Sequence, residues 1–166
     1  MIFVLISNVR MTFKDKMNID LQFKNFTSED MSLAFEIYKS GLHNVIEEAF
    51  GWSEDYQLQR FNSRYKREWF HWIEKDLERI GYVCFNSHNE EVHISLLIIN
   101  QHLRSKGYGK QVMLQIHEMA QKENYSTVTL SSFKNNLTAV KFYIRLGYQI
   151  INEDEYFLDL SLPIKK

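Results

Sequence analysis

The segment from Leu97 to Gly109 constrains the fold of this chain more than any other. It joins an apolar, strand-like run to a basic turn that contains Gly107 and Gly109, and an amphipathic helix begins near Lys110. The start of a helix presents unpaired backbone N–H groups and the positive end of its dipole, and glycines let a ligand approach the backbone. The segment therefore predicts a strand, a phosphate-binding turn and a helix.

The composition limits the classes of protein to which this segment can belong. The chain has 166 residues, 20 Lys+Arg and 21 Asp+Glu, so it lacks the excess positive charge that is typical of nucleic-acid-binding proteins. Its single cysteine, Cys84, excludes an intramolecular disulfide, favours a reducing compartment and is expected to be an inert strand residue. Cys-x-x-Cys and His-x-x-x-His spacings are absent, so no metal site is predicted. We expect a cytoplasmic protein with no membrane or nucleic-acid partner.

The first residues are expected to lie outside the folded domain. Residues 1–6 hold an apolar run that is too short for a membrane span, and they do not resemble a signal peptide. A strand-like segment follows Met17 at once, which suggests the hypothesis that residues 1–16 arise from an upstream start codon. We therefore predict an N-terminal extension over residues 1–18 and one domain over residues 19–166.

The spacing of apolar residues predicts an α/β (α+β) fold with a central mixed, mostly antiparallel sheet of about six to seven strands and about four flanking helices. Strands are predicted at 19–26, 69–74, 79–85, 92–100, 126–133, 148–151 and 156–162, and helices at 31–50, 54–67, 110–123 and 136–146. Short turns at 75–78 and 86–90 favour antiparallel pairing of three consecutive strands. One strand–helix–strand crossover is predicted, and it contains the glycine turn.

Two common phosphate-binding loops do not fit the turn. The dinucleotide fingerprint G-x-G-x-x-G requires a third glycine where this chain has Val112. A nucleotide-binding P-loop requires glycine at the position of Arg104, and Ser or Thr at the position of Gln111. The turn therefore fits neither the dinucleotide-binding motif nor the nucleotide-binding P-loop.

Two motifs occur in order along the chain: Arg104-x-x-Gly107-x-Gly109 and Asn136-x-x-Ala139-x-x-x-Tyr143-x-x-x-Gly147-Tyr148. Together they resemble the acetyl-CoA-binding core of the GNAT superfamily of N-acetyltransferases. The order of elements resembles that family over residues 19–162, and the motifs lie within residues 97–148. The resemblance implies a monomer or homodimer that transfers the acetyl group of acetyl-CoA to a primary amine of a small molecule or peptide, by direct attack in a ternary complex. A non-catalytic acyl-CoA-binding or regulatory module is the alternative.

The resemblance also implies roles for particular residues. The main chain of Leu97, Ile98 and Ile99 would pair with the pantetheine arm as an added strand. The turn that would hold the pyrophosphate, mainly through backbone amides, consists of Arg104, Ser105, Lys106, Gly107, Tyr108, Gly109 and Lys110. Many family members have a proline three residues before the motif arginine, and this chain has Gln101 there.

The second motif and the first helix provide the candidate chemical groups. Asn136 is expected to cap its helix, a role that is compatible with contact to the cofactor arm. The Tyr143 hydroxyl would lie beside the cofactor sulfur and protonate the departing thiolate. By spacing alone, Tyr143 is better explained as a packed aromatic residue, and the family resemblance favours the catalytic role.

The identity of the general base is left open by the sequence. A primary amine has a pKa of about 10.4 and must lose a proton before it attacks. Glu47 and Glu48, near the end of the first helix, are the candidate bases, although solvated helix charges explain them equally well. His93 and Ser95, on the strand before the glycine turn, could relay a proton through water, or His93 could be a half-buried, hydrogen-bonded residue.

Overall fold

A twisted seven-stranded sheet forms the centre of the molecule, and helices cover both of its faces. The computed structural model describes residues 21–165. The elements are β1 (Leu21–Asn25), α1 (Asp30–Phe50), α2 (Glu54–Arg64), β2 (Phe70–Lys75), β3 (Glu78–His88), β4 (Glu91–Ile99), α3 (Tyr108–Lys122), β5 (Thr127–Phe133), α4 (Leu137–Arg145), β6 (Gln149–Glu153) and β7 (Phe157–Pro163). The strand order is β1-β2-β3-β4-β5-β7-β6, and among these seven described strands only β4 and β5 pair in parallel. The predicted fold class is confirmed.

Most boundaries lie within two residues of the predicted ones, and two differ by three residues. The predicted turn at 86–90 is wrong in extent, because β3 continues to His88 and a two-residue turn with Asn89 at a φ of 53° connects it to β4. Helix α2 ends at Arg64, because Tyr65 adopts an extended conformation that leads into the short 3₁₀ helix Arg67–Trp69. The predicted N-terminal extension and the first two residues of the predicted first strand lie outside the described residues.

Strands β4 and β5 separate after four paired positions. Their parallel register runs from Glu91 opposite Thr127 to Ile94 opposite Leu130, and both strands continue beyond it without pairing to each other. The separation begins where Ser95 forms a bulge, since Leu96 pairs with β3 immediately after Ile94. A bulge bends its strand and increases the local twist. The two strands therefore enclose a wedge-shaped gap.

One edge of this gap is unpaired backbone. The Asn100 N–H donates to the Ile80 carbonyl at 2.9 Å, so this bond shows which residues of β4 point their main-chain groups toward β3. Because the bonding direction alternates along an antiparallel strand, Leu96 and Ile98 bond to β3, while the main-chain groups of Leu97 and Ile99 face the gap. β3 lies so close to β4 that a Cβ on Gly81 would stand 2.1 Å from the Ile98 carbonyl oxygen.

Two hydrophobic cores cover the two faces of the sheet. Helix α3 buries its inner face, which consists of Val112, Met113, Ile116 and Ala120, against one face of the sheet. Helices α1 and α2 cover the other face with a core rich in aromatic residues, in which the Tyr82 hydroxyl donates to the Ala34 carbonyl at 3.1 Å. Cys84 is buried in this core, and burial raises the pKa of its thiol to about 12. No helix within residues 21–165 is long and apolar enough to cross a membrane.

Candidate active site

A cavity of about 140 Å³ occupies the gap between β4 and β5. Its lining includes residues from both faces of the sheet, so the cavity connects the two faces. We call the part of the cavity that is lined by Asn136, Ala139 and Tyr143 the α4 end. The α2 end is lined by Gln57, Arg60 and Arg64, and the strands between the ends contribute His93, Ser95 and Ser131.

The glycine turn adopts a conformation that exposes a row of amides. Ser105 and Gly107 have positive φ values of 60° and 86°. The backbone N–H groups from Ser105 to Lys110 have no backbone acceptor within the described chain, and the last three of them open the 15-residue helix α3. Nothing lies within 4 Å of the position that a Cβ on Gly107 would take. The turn therefore presents free amides in open space, a geometry that suits an anion.

Arg104 contributes to this turn in a different way from the other predicted residues. Its backbone N–H donates to the Gln101 carbonyl at 3.2 Å, so this amide is already paired. Its side-chain Nε donates to the Ile99 carbonyl at 2.9 Å. Arg104 thus attaches the turn to the end of β4. Gln101 begins the 3₁₀ helix Gln101–Leu103, so the turn forms without the proline of many family members.

The predicted residues of α4 lie on the cavity wall. The side-chain oxygen of Asn136 accepts from the Ala139 N–H at 3.3 Å, which confirms the predicted helix cap. The Asn136 side-chain nitrogen has no partner among residues 21–165, so it is available to a ligand. Burial raises the pKa of Tyr143 to about 12, and the hydroxyl therefore keeps its proton at neutral pH.

Glu47 and Glu48 lie outside this cavity. Both side chains are exposed. Glu47 accepts from the Trp52 N–H at 2.6 Å, and Glu48 accepts from the Asn135 side-chain nitrogen at 3.3 Å. The face of α1 that lines the cavity is formed instead by Tyr38, Leu42, Ile46 and Phe50, at spacings of four residues. The structure does not bring either glutamate together with Tyr143.

A hydrogen-bond chain fixes the protonation of His93. The Thr129 hydroxyl donates to the Glu91 carboxylate at 2.7 Å, because a carboxylate can only accept. The Thr129 oxygen then accepts from the His93 Nδ1–H, at a distance of 2.9 Å. The proton of the neutral ring is thus on Nδ1, and Nε2 keeps its lone pair.

The surroundings of His93 keep the ring neutral near pH 7. Burial lowers its pKa below the ordinary value of 6.5. The positive charge of Arg64 acts in the same direction, whereas Glu91 and Asp159 act in the opposite direction. His93 therefore presents an unprotonated nitrogen on the wall of the cavity that Tyr143 also lines.

Several residues of the site were not predicted from the sequence. Thr129 and Glu91 belong to strands that become neighbours only through the β4–α3–β5 crossover. Arg60 and Arg64 occupy one face of α2 at a spacing of four residues, a signal that the sequence contains but that is also typical of solvated helices. No group of three or more possible metal-ligating side chains occurs within residues 21–165.

Comparison with known proteins identifies the family. The family model described as Acetyltransferase (GNAT) family matches residues 33–148, more than half of the chain. The chain belongs to this family. The match includes the glycine turn, Asn136 and Tyr143, so the two motifs that carry the resemblance fall within it.

Individual relatives agree with this membership. A curated relative, the probable spermine N(1)-acetyltransferase of Bacillus subtilis subsp. natto, is 30% identical over 69 residues, which are 41% of this chain and 45% of that protein. The match thus spans less than half of the relative. Among solved structures, the PaiA N-acetyltransferase of Thermoplasma acidophilum in complex with coenzyme A has a TM-score of 0.69 at 15% identity and covers 86% of this chain and 98% of its own. Ard1 of Thermoplasma volcanium has a TM-score of 0.64 at 15% identity, covering 88% and 99%. These structures share the fold.

The glycine turn yields a direct test of cofactor binding. We expect Gly107→Val to weaken coenzyme A binding about tenfold or more, roughly 1.4 kcal/mol, because the branched side chain fills the space above the free amides and does not fit the left-handed conformation. Isothermal titration calorimetry with coenzyme A measures the effect. Gly51→Val is the matched control, since Gly51 also has a positive φ of 81° and open space around its Cβ position. Equal affinity of the Gly107→Val variant and the unmodified protein would contradict the assignment of the turn.

Proposed function

We propose that this protein is an acetyl-CoA-dependent N-acetyltransferase that acts on a primary amine of a small molecule or peptide by direct attack in a ternary complex. The observation that carries the proposal is the pairing of two groups in one cavity: the protonated Tyr143 phenol and the neutral His93 imidazole. Transfer from a thioester to an amine needs an acid for the departing sulfur and a base for the amine.

The residues that would hold the cofactor lie at the end of β4, in the glycine turn and at the start of α4. The main-chain groups of Leu97 and the N–H of Ile99 suit the amide groups of the pantetheine arm, whereas the Ile99 carbonyl already accepts from Arg104 Nε and Ile98 is bonded to β3. The free amides from Ser105 to Lys110 suit the pyrophosphate, and Asn136 lines the cavity between β4 and β5. Bound acetyl-CoA supplies an activated acetyl thioester.

The chain's own groups would handle the protons. His93 Nε2 accepts a proton from the acceptor amine, and the resulting imidazolium is stabilised through Thr129 by the Glu91 carboxylate. The Tyr143 hydroxyl donates its proton to the departing sulfur. Glu47 and Glu48 remain candidate bases only through movement or water, because they lie outside the cavity lining.

Release of free thiol from acetyl-CoA in the presence of an amine panel tests the activity. We expect at least one primary amine to support turnover. Tight coenzyme A binding without thiol release from any amine would instead identify a non-catalytic acyl-CoA-binding or regulatory module with the same fold.

The role of Tyr143 predicts a specific kinetic change. Tyr143→Phe should lower kcat about a hundredfold while changing the KM for acetyl-CoA much less, because the hydroxyl acts only as the sulfur departs. Steady-state kinetics by thiol release checks this. Tyr148→Phe is the matched control, since the Tyr148 hydroxyl contacts His117 at 2.9 Å and lies outside the cavity lining. An unchanged kcat in the Tyr143→Phe variant would exclude the hydroxyl from the reaction.

The role of His93 predicts a pH dependence. A base works in its neutral form, and burial lowers the pKa of His93. At saturating amine, kcat/KM for acetyl-CoA should therefore fall as the pH drops through a value below 6.5. His93→Gln should lower kcat/KM about a hundredfold and remove this acidic limb. Thr129→Val should cause a smaller loss of kcat/KM and keep the acidic limb of the pH profile. It removes the hydroxyl that bonds to His93 but leaves the imidazole in place.

Retention of the acidic limb in the His93→Gln variant would show that another group is the base. Glu47→Gln and Glu48→Gln would then distinguish the two carboxylates.

A further inference from the structure

The α2 end of the cavity carries two arginines that the proposed chemistry does not use. Gln57, Arg60 and Arg64 follow one another at helical spacings and all line the cavity. Gln57 is buried, and its side-chain oxygen accepts from the Tyr38 hydroxyl at 3.1 Å. This bond fixes the rotation of α2 against α1, so both arginines face the cavity.

Neither guanidinium has a carboxylate partner. The ion pairs formed within residues 21–165 involve Lys39, Lys75, Arg79 and Lys134, and they include neither Arg60 nor Arg64. Two like charges four residues apart on a helix repel each other. Arg64 lies over the Tyr65 ring with its guanidinium carbon 5.9 Å from the ring centroid, which leaves its N–H donors available. The positive charge of the pair is therefore not neutralised by an ion pair within residues 21–165.

The two carboxylates whose charge reaches His93, those of Asp159 and Glu91, are hydrogen-bonded to neutral side chains of the sheet. Asp159 accepts from the Ser131 hydroxyl at 2.6 Å and from the Asn152 side-chain nitrogen at 3.0 Å. Glu91 accepts from Thr129. No Asp or Glu of the described residues lines the cavity. A molecule that enters from the α2 end therefore meets two guanidiniums and the neutral His93.

We infer that the acceptor is a small molecule that carries a carboxylate or phosphate group as well as its amine, and that Arg60 and Arg64 bind this anionic group. The inference rests on the proposed function. Guanidinium groups form paired, charge-assisted hydrogen bonds with carboxylate and phosphate oxygens. A polyamine such as spermine, whose amines are protonated at neutral pH, would be repelled by the same wall.

Matched amines that differ only in the anionic group test the inference. Thiol release from acetyl-CoA is measured with phosphoethanolamine against ethanolamine, with tyrosine against tyramine, and with spermine. We expect kcat/KM about tenfold or more higher for the anionic member of at least one pair, the effect of one charge-assisted hydrogen bond. The phosphate and carboxylate pairs distinguish the two kinds of anion.

Variants link this preference to the two arginines. The Arg60→Gln/Arg64→Gln double variant should lose the preference through a raised acceptor KM, with coenzyme A affinity unchanged. Arg67→Gln is the matched control, because Arg67 is exposed and lies outside the cavity lining. Higher kcat/KM for spermine than for every anionic amine would overturn the inference, and so would an equal loss of coenzyme A affinity in the double variant.

A binding measurement decides the inference even without turnover. In the protein saturated with coenzyme A, NMR signals of the arginine Nε–H groups are followed during titration with phosphoethanolamine, ethanolamine, tyrosine and tyramine. We expect an anionic member to shift the signals of Arg60 and Arg64 and not that of Arg67. Shifts no larger than those of Arg67 would overturn the inference. Absence of thiol release together with these shifts would contradict the proposed function alone.

Discussion

The parting of β4 from β5 is the constraint on which the rest of this structure depends. Pairing stops after Ile94 and Leu130, and the bulge at Ser95 turns β4 away from its neighbour. Unpaired backbone groups are costly when they are buried, so such an edge persists only where water or a ligand can reach it. The gap therefore explains both the open main chain and the cavity that passes through the sheet. The aromatic core under α1 and the apolar face of α3 pack against the two faces of the sheet beside the gap.

The charges around the gap are arranged so that each group keeps the protonation state its proposed role needs. Burial keeps the Tyr143 phenol protonated and His93 neutral. The Glu91 carboxylate acts on His93 through Thr129, so it orients the ring without lying in the cavity. The guanidiniums of Arg60 and Arg64 add positive charge at one end. The proposed acid, the proposed base and the two arginines thus all line one cavity.

Local patterns in the sequence predicted most of the fold and the local conformation of two parts of the candidate site. Glycine spacing predicted the turn at Gly107, and Asn136 before an apolar run predicted the α4 cap, because both depend on neighbouring residues. The bulge at Ser95 and the Thr129–His93 contact were not predictable, since they depend on the register of strands joined by a crossover. Glu47 was a candidate because it lies off the apolar stripe of α1, but its carboxylate is occupied by the Trp52 N–H.

Amide hydrogen exchange at β4, measured by NMR with and without coenzyme A, tests most directly whether the gap is the cofactor site. The Leu97 and Ile99 N–H groups face the gap, whereas those of Leu96 and Ile98 bond to β3. The account predicts that coenzyme A slows exchange at Leu97 and Ile99, and leaves Leu96 and Ile98 nearly unchanged. Unchanged exchange at Leu97 in the presence of saturating coenzyme A would contradict it.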